Sequence, residues 1–66
     1  MPTIHVEAFK GRTPEQKKNL AKELIDGYIR AAGTGQPEAF QVIITEVDKD
    51  DWIVGYESMR DKYPDK

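Results

Sequence analysis

Along the first nine residues apolar and polar positions alternate. Ile4, Val6 and Ala8 fall on one side of an extended chain, and Thr3, His5, Glu7 and Phe9 on the other. A period of two predicts a strand from Pro2 to Phe9. Lys10-Gly11-Arg12 interrupts it, and the period then lengthens: Leu20, Leu24, Ile25, Tyr28 and Ile29 recur at helical spacing, with Lys17, Lys18, Lys22, Glu23 and Asp26 facing water. Thr13 is a candidate N-cap, Pro14 stands at the first helical position where its missing N–H costs nothing, and Gln16 completes a capping box. Gly33 and Pro37 supply the stop, so the predicted helix runs from Pro14 to about Ala32. Gly27, in mid-helix, costs stability relative to alanine and predicts a close approach to the sheet.

Phe40-Gln41-Val42-Ile43-Ile44-Thr45-Glu46-Val47 is rich in β-branched residues and apolar on both sides at its middle. That composition predicts a second strand covered on both faces. Strand, helix and strand in this order make a βαβ unit with parallel strands and a right-handed crossover. The fold class expected is therefore α/β. Asp48-Lys49-Asp50-Asp51 reads as a solvated turn; it lacks the glycine and distal glutamate of a calcium loop. Trp52-Ile53-Val54-Gly55-Tyr56 predicts a short extended or hairpin segment, and residues 57–66 a helical turn before a polar tail.

The chain has 66 residues, read as one domain spanning 1–66. A domain this small hides only about 60% of the surface its unfolded chain exposes, so a lone core is marginal. Small chains compensate with disulfides, a metal or self-association. With no cysteine and a single histidine, His5, only self-association is left, and a symmetric homo-oligomer is its commonest form. Ten Lys+Arg against twelve Asp+Glu give no basic surface for nucleic acid. No apolar run approaches the roughly 20 residues of a membrane span, and the opening residues lack the regions of a secretory signal. The expectation is a soluble cytoplasmic protein.

Met1-Pro2 opens directly into the first strand. Once an initiator methionine is removed, the proline nitrogen is a free secondary amine, held rigidly by the strand behind it. Such a group can serve as a general base, which must stay within hydrogen-bond reach of the proton it takes. With this opening, Gly11-Arg12-Thr13 followed by Glu15-Gln16-Lys17, and Val42-Ile43-Ile44-Thr45-Glu46, the chain resembles the 4-oxalocrotonate tautomerase family over roughly residues 2–55. The resemblance implies a cofactor-independent isomerase that moves a proton between carbon atoms of a small 2-oxo or enol acid. It maps onto Pro2 as catalytic base, Arg12 as the cation that grips the substrate carboxylate, and Trp52 as an aromatic wall. The family pattern also has an arginine where this chain has Gln41, which leaves the second cation in doubt and favours a monoacid such as a substituted enolpyruvate over a dicarboxylate. It implies a hexamer built as a trimer of dimers, with a dimer as the alternative because the hairpin here is less glycine-rich. Two other functions stay open: hydration of haloacrylates or decarboxylation by a protonated Pro2, and a non-catalytic oligomeric binding protein of the same fold.

The chemistry also follows from the residues. A reference α-amino group titrates at about 7.7–8.0, and both burial and nearby positive charge lower that value toward the neutral form a base needs. Arg12 sits before a helix start, where a cation opposes the helix dipole, an arrangement that suits function better than stability. A guanidinium there can stabilise the enolate charge that develops during proton transfer. At about 3.3 Å per residue, the strand separates Pro2 from Arg12 by more than 20 Å. The two predict a site shared between antiparallel neighbouring copies, with Gln41 at the same end as Pro2. Arg30 reads as a surface charge, and His5 as structural or solvent-facing.

Overall fold

The computed structural model describes residues 2–65. The expected removal of Met1 concerns a residue outside these, as does Lys66 at the end of the predicted tail. The order of elements is β1 (Thr3–Phe9), α1 (Pro14–Ala32), a 3-10 turn at Pro37–Ala39, β2 (Gln41–Val47), a 3-10 turn at Lys49–Asp51, β3 (Ile53–Val54), β4 (Glu57–Ser58) and α2 (Met59–Lys62). Strands β1 and β2 are parallel and in step from Thr3↔Gln41 to Phe9↔Val47, so they begin and end together. Strands β3 and β4 form a short antiparallel hairpin. The fold is a βαβ unit with a C-terminal hairpin.

Local chemistry accounts for the helix bounds. Gln16 donates its backbone N–H to Thr13 Oγ1 at 3.1 Å, and Thr13 N–H donates to Gln16 Oε1 at 2.9 Å, which closes the capping box. At the other end Gly33 takes the left-handed conformation, φ 78°, and its N–H donates to Ile29 O at 2.8 Å. The return to β2 turns at Gly35, φ 131°, where an added Cβ would lie 3.2 Å from the Phe40 ring and 3.3 Å from Ile29 Cγ1. Glycine is needed there for both backbone and space.

Helix α1 covers one face of the sheet, half-burying Ile4, Val6 and Ala8 with Val42, Ile44 and Glu46. The opposite face, Thr3, His5 and Glu7 with Gln41, Ile43 and Thr45, stays exposed, so this chain covers β2 on one side and not on both. His5 Nε2 lies 3.0 Å from Thr45 Oγ1 on that open face. Several expectations change with the tertiary contacts. Pro2 precedes β1, and Phe40 caps the turn before β2. Tyr28, expected in the buried stripe, is 46% exposed, with its ring edge-on to Phe40 at 4.9 Å. A Cβ on Gly27 would meet only the Arg30 guanidinium, at 3.7 Å, so the helix makes no close approach to the sheet there. Lys17, expected to face water, pairs with Glu46 at 2.7 Å.

The protomer holds little core. Met59, at 7% exposure, is the only buried apolar residue among the described residues, whereas Ile43 is 47% and Ile53 61% exposed. The Cα radius of gyration is 14.9 Å, against about 11 Å for a compact domain of this length. Among the described residues no helix is long and apolar enough to cross a membrane.

Replacing Gly35 with alanine is expected to destabilise the fold by more than about 1 kcal/mol, since it combines backbone strain with a close contact. Urea unfolding at fixed protein concentration checks this; an unchanged midpoint contradicts it.

Candidate active site

The two ends of the sheet carry different chemistry. At the starting end, Gln41 N–H donates to Pro2 O at 3.0 Å, which ties the residue behind β1 to the first residue of β2. Pro2 is half-buried, and Gln41 is exposed beside it. Parallel register makes this unavoidable, because Thr3 pairs with Gln41.

At the finishing end, Lys10 N–H extends the ladder to Val47 O at 3.1 Å, and the chain then turns through Gly11 to the N-cap at Thr13. Arg12 is held in this turn. Its Nη1 donates to Phe9 O at 2.9 Å, while the residue as a whole remains exposed. The Trp52 ring lies edge-on to Phe9 at 4.9 Å and 70°. The Trp52 backbone N–H donates to Lys49 O at 3.3 Å, and its backbone carbonyl accepts from Met59 N–H at 2.8 Å. The structure thus brings Pro2 to Gln41 and sets Arg12 and Trp52 near Phe9. It keeps these two groups at opposite ends of one strand.

Phe9 and the C-terminal segment were not singled out by sequence reasoning. Tyr63 tilts over Phe9 at 6.4 Å, and Lys49 Nζ lies 5.7 Å from the Phe9 ring centre. Lys49 Nζ donates to Tyr63 O at 2.8 Å and to Asp65 Oδ1 at 3.0 Å. Arg60 spans three carboxylates: Nη2 to Asp48 Oδ1 at 2.8 Å, Nε to Asp50 Oδ1 at 3.0 Å, and Nη1 to Asp65 Oδ2. A cleft of about 110 Å³ lies among Lys10, Asp48, Lys49, Arg60 and Asp65. The tail through Asp65 is therefore clasped against the turn that carries Trp52. The available signal was Phe9 itself, an aromatic on an otherwise polar strand face.

Electrostatics follows the clasp. The Asp50 N–H, first, and then Arg60 hold the Asp48 carboxyl below its ordinary range. The Lys49 hydrogen bond and then the Arg60 charge do the same for Asp65. The carboxylates in turn push the Arg60 pKa up, Asp50 and then Asp48 most strongly.

The model of the tautomerase enzyme family matches residues 2–62, and the chain belongs to that family. A probable tautomerase of Lactiplantibacillus plantarum is 39% identical over 56 residues, covering 83% of this chain and 84% of its own length. The structure of TomN, a 4-oxalocrotonate tautomerase homologue in the tomaymycin biosynthetic pathway, superposes with a TM-score of 0.81. It is 32% identical and covers 97% of this chain and 100% of its own. A heterohexamer 4-oxalocrotonate tautomerase from Chloroflexus aurantiacus J-10-fl superposes with a TM-score of 0.77 at 32% identity, over 89% of this chain and 94% of its own. The βαβ fold is the one these tautomerases share, and tautomerase-type isomerase chemistry is what the family name describes.

Because Asp48 and Asp65 bind protons less readily when clasped than when free, their stabilising contribution is complete above the ordinary aspartate value of about 3.9 and disappears as pH falls through the lowered folded values. Trp52, the one tryptophan, reports on it. Its emission is expected to stay constant down to about pH 5 and to shift only below about pH 4. A transition centred near neutrality contradicts this assignment.

Proposed function

We propose that the protein is a cofactor-independent tautomerase acting on a small 2-oxo acid, with the Pro2 nitrogen, freed by removal of Met1, as general base. The observation that carries this reading is the division of β1: a half-buried proline with Gln41 at one end, and an exposed guanidinium with an aromatic at the other. Strand β1 pairs with β2 along one edge only among the described residues. An antiparallel copy added at its open edge sets Arg12 and Trp52 of one protomer beside Pro2 and Gln41 of the next. The exposed Ile43, Ile53 and Val54 need covering, which further supports assembly. The heterohexameric relative supports extending this to six protomers, a trimer of dimers.

In this reading Arg12 uses the N–H groups not given to Phe9 O to bind the substrate carboxylate. The Pro2 nitrogen takes a proton from the carbon next to the carbonyl, and the electron pair moves onto the carbonyl oxygen. The same guanidinium stabilises that enolate. The prolinium then protonates a more distant carbon as the carbonyl re-forms; from an enol acid the nitrogen takes the hydroxyl proton instead and returns it to the carbon beside the new carbonyl, so atoms, charge and oxidation level balance in both cases without an electron carrier. Trp52 walls the site against water. Gln41 offers a neutral hydrogen bond in place of a second cation, which suits a monocarboxylate in a cytoplasmic setting.

The test is ketonisation of phenylenolpyruvate and isomerisation of 2-hydroxymuconate by the Met-trimmed protein. Pro2→Ala is expected to lose about 10²-fold or more in rate, the usual size of a general-base effect. Arg12→Ala is expected to raise KM for both acids. Undiminished turnover by Pro2→Ala contradicts the reading.

A further inference from the structure

Glu46 is the odd member of its row. The helix-facing positions of β2 are Val42, Ile44 and Glu46, two hydrophobes followed by a carboxylate. Its Oε1 is 2.7 Å from Lys17 Nζ, with the two side chains only 23% and 33% exposed respectively. Its Oε2 is sealed from solvent with no hydrogen-bond partner among the described residues. A charge is placed in such a position at a cost, and burial does oppose its ionised form.

The surroundings explain what it offsets. Lys17 lies in the first turn of α1, its N–H donating to Thr13 O at 3.0 Å, and Arg12 directly precedes that cap. Two cations thus stand at the positive end of one helix, where each is unfavourable. Glu46 is the countercharge beside them. Its pKa is lowered first by the Lys17 hydrogen bond, against burial, then by the Lys17 charge and by the backbone N–H groups of Arg12 and Gly11. Glu46 immediately precedes Val47, whose carbonyl accepts from Lys10 N–H at 3.1 Å, so it stands beside the start of that turn.

We propose that Glu46 is a positioning residue for Arg12: bound to Lys17, it holds the Gly11–Arg12 turn at the end of β1 and so fixes where the guanidinium meets the substrate carboxylate. Two anchors act together. Arg12 Nη1 on Phe9 O ties the side chain to the strand, and the Glu46–Lys17 pair ties β2 to the first turn of α1, directly behind Arg12. This assignment rests on Arg12 binding the substrate, as proposed above, and assigns no direct contact between Glu46 and substrate.

The test uses Glu46→Gln, which keeps shape and removes charge, alone and with Arg12→Ala, in the Met-trimmed protein with phenylenolpyruvate. Glu46→Gln is expected to raise KM about tenfold with a smaller change in kcat, and to add little once Arg12 is absent, as coupled neighbours do. Exchanging the pair, Lys17→Glu with Glu46→Lys, restores an ion pair and the urea midpoint but not KM, because a lysine cannot accept from the turn amides. An equal KM effect with and without Arg12, or recovery of KM by the exchanged pair, overturns the assignment and leaves a merely structural ion pair. A readout independent of turnover separates the two readings. The Gly11 and Arg12 amide resonances are expected to shift as Glu46 titrates and to lose that shift in Glu46→Gln. Absence of the shift overturns the positioning role while Arg12 keeps its own. If Arg12→Ala leaves KM unchanged, the functional reading fails and the assignment falls with it.

Discussion

A seven-residue strand is stiff, and β1 holds apart the groups that the proposed chemistry needs together. Pro2 is fixed before its first residue and Arg12 beyond its last, and the backbone between them is extended and laddered to β2 throughout. No rotamer of arginine spans the more than 20 Å that such a strand covers. Parallel pairing makes the division systematic, because each strand's start lies beside the other's start. The same geometry that prevents a site within one chain makes an antiparallel neighbour a natural completion, since reversing the strand exchanges its two ends.

The protomer's energetics agree with that division. A single buried apolar residue among those described and a radius of gyration well above that of a compact domain leave a chain whose apolar surface is mostly half covered. Helix α1 protects one face of the sheet, while Ile43 on the other face and Ile53 and Val54 on the hairpin stay exposed. On the proposed reading, stability and catalysis depend on the same event. In the proposed assembly, burying these residues against further copies supplies the missing core, and the pairing that does so also assembles the site.

Much of this was legible in the residues. The helix ran from Pro14 to Ala32 as expected because its limits are set locally, by the Thr13–Gln16 capping box and by the left-handed Gly33. The strands followed from alternation and β-branching, and the ends of the sheet from parallel pairing. What was missed depends on contacts between residues far apart in sequence. Phe9 shares its strand face with His5, so alternation placed it in water, whereas Trp52 and Tyr63 cover it from more than 40 residues away. The polar tail is ordered by Arg60 among Asp48, Asp50 and Asp65, and a charge-rich segment gives no sign of which opposite charges will meet. Tyr28 fits a helical stripe, but a stripe does not specify that its ring will stand edge-on to Phe40 and stay half exposed. Lys17 fits a solvated face by spacing, and only the path of β2 brings Glu46 to it.

The most direct measurement of a site divided between chains is complementation in mixed assemblies. Pro2→Ala and Arg12→Ala chains, unfolded together and refolded at equal concentration, form mixed dimers in which one site carries both substitutions and the other neither. At substrate well below the KM of Arg12→Ala, where both parents turn over little, random pairing predicts recovery to about a quarter of wild-type phenylenolpyruvate turnover, since about half the dimers are mixed and each has one intact site of two. A mixture no more active than the better of its two parents contradicts the account, because it would mean that base and guanidinium act from the same chain or do not act together.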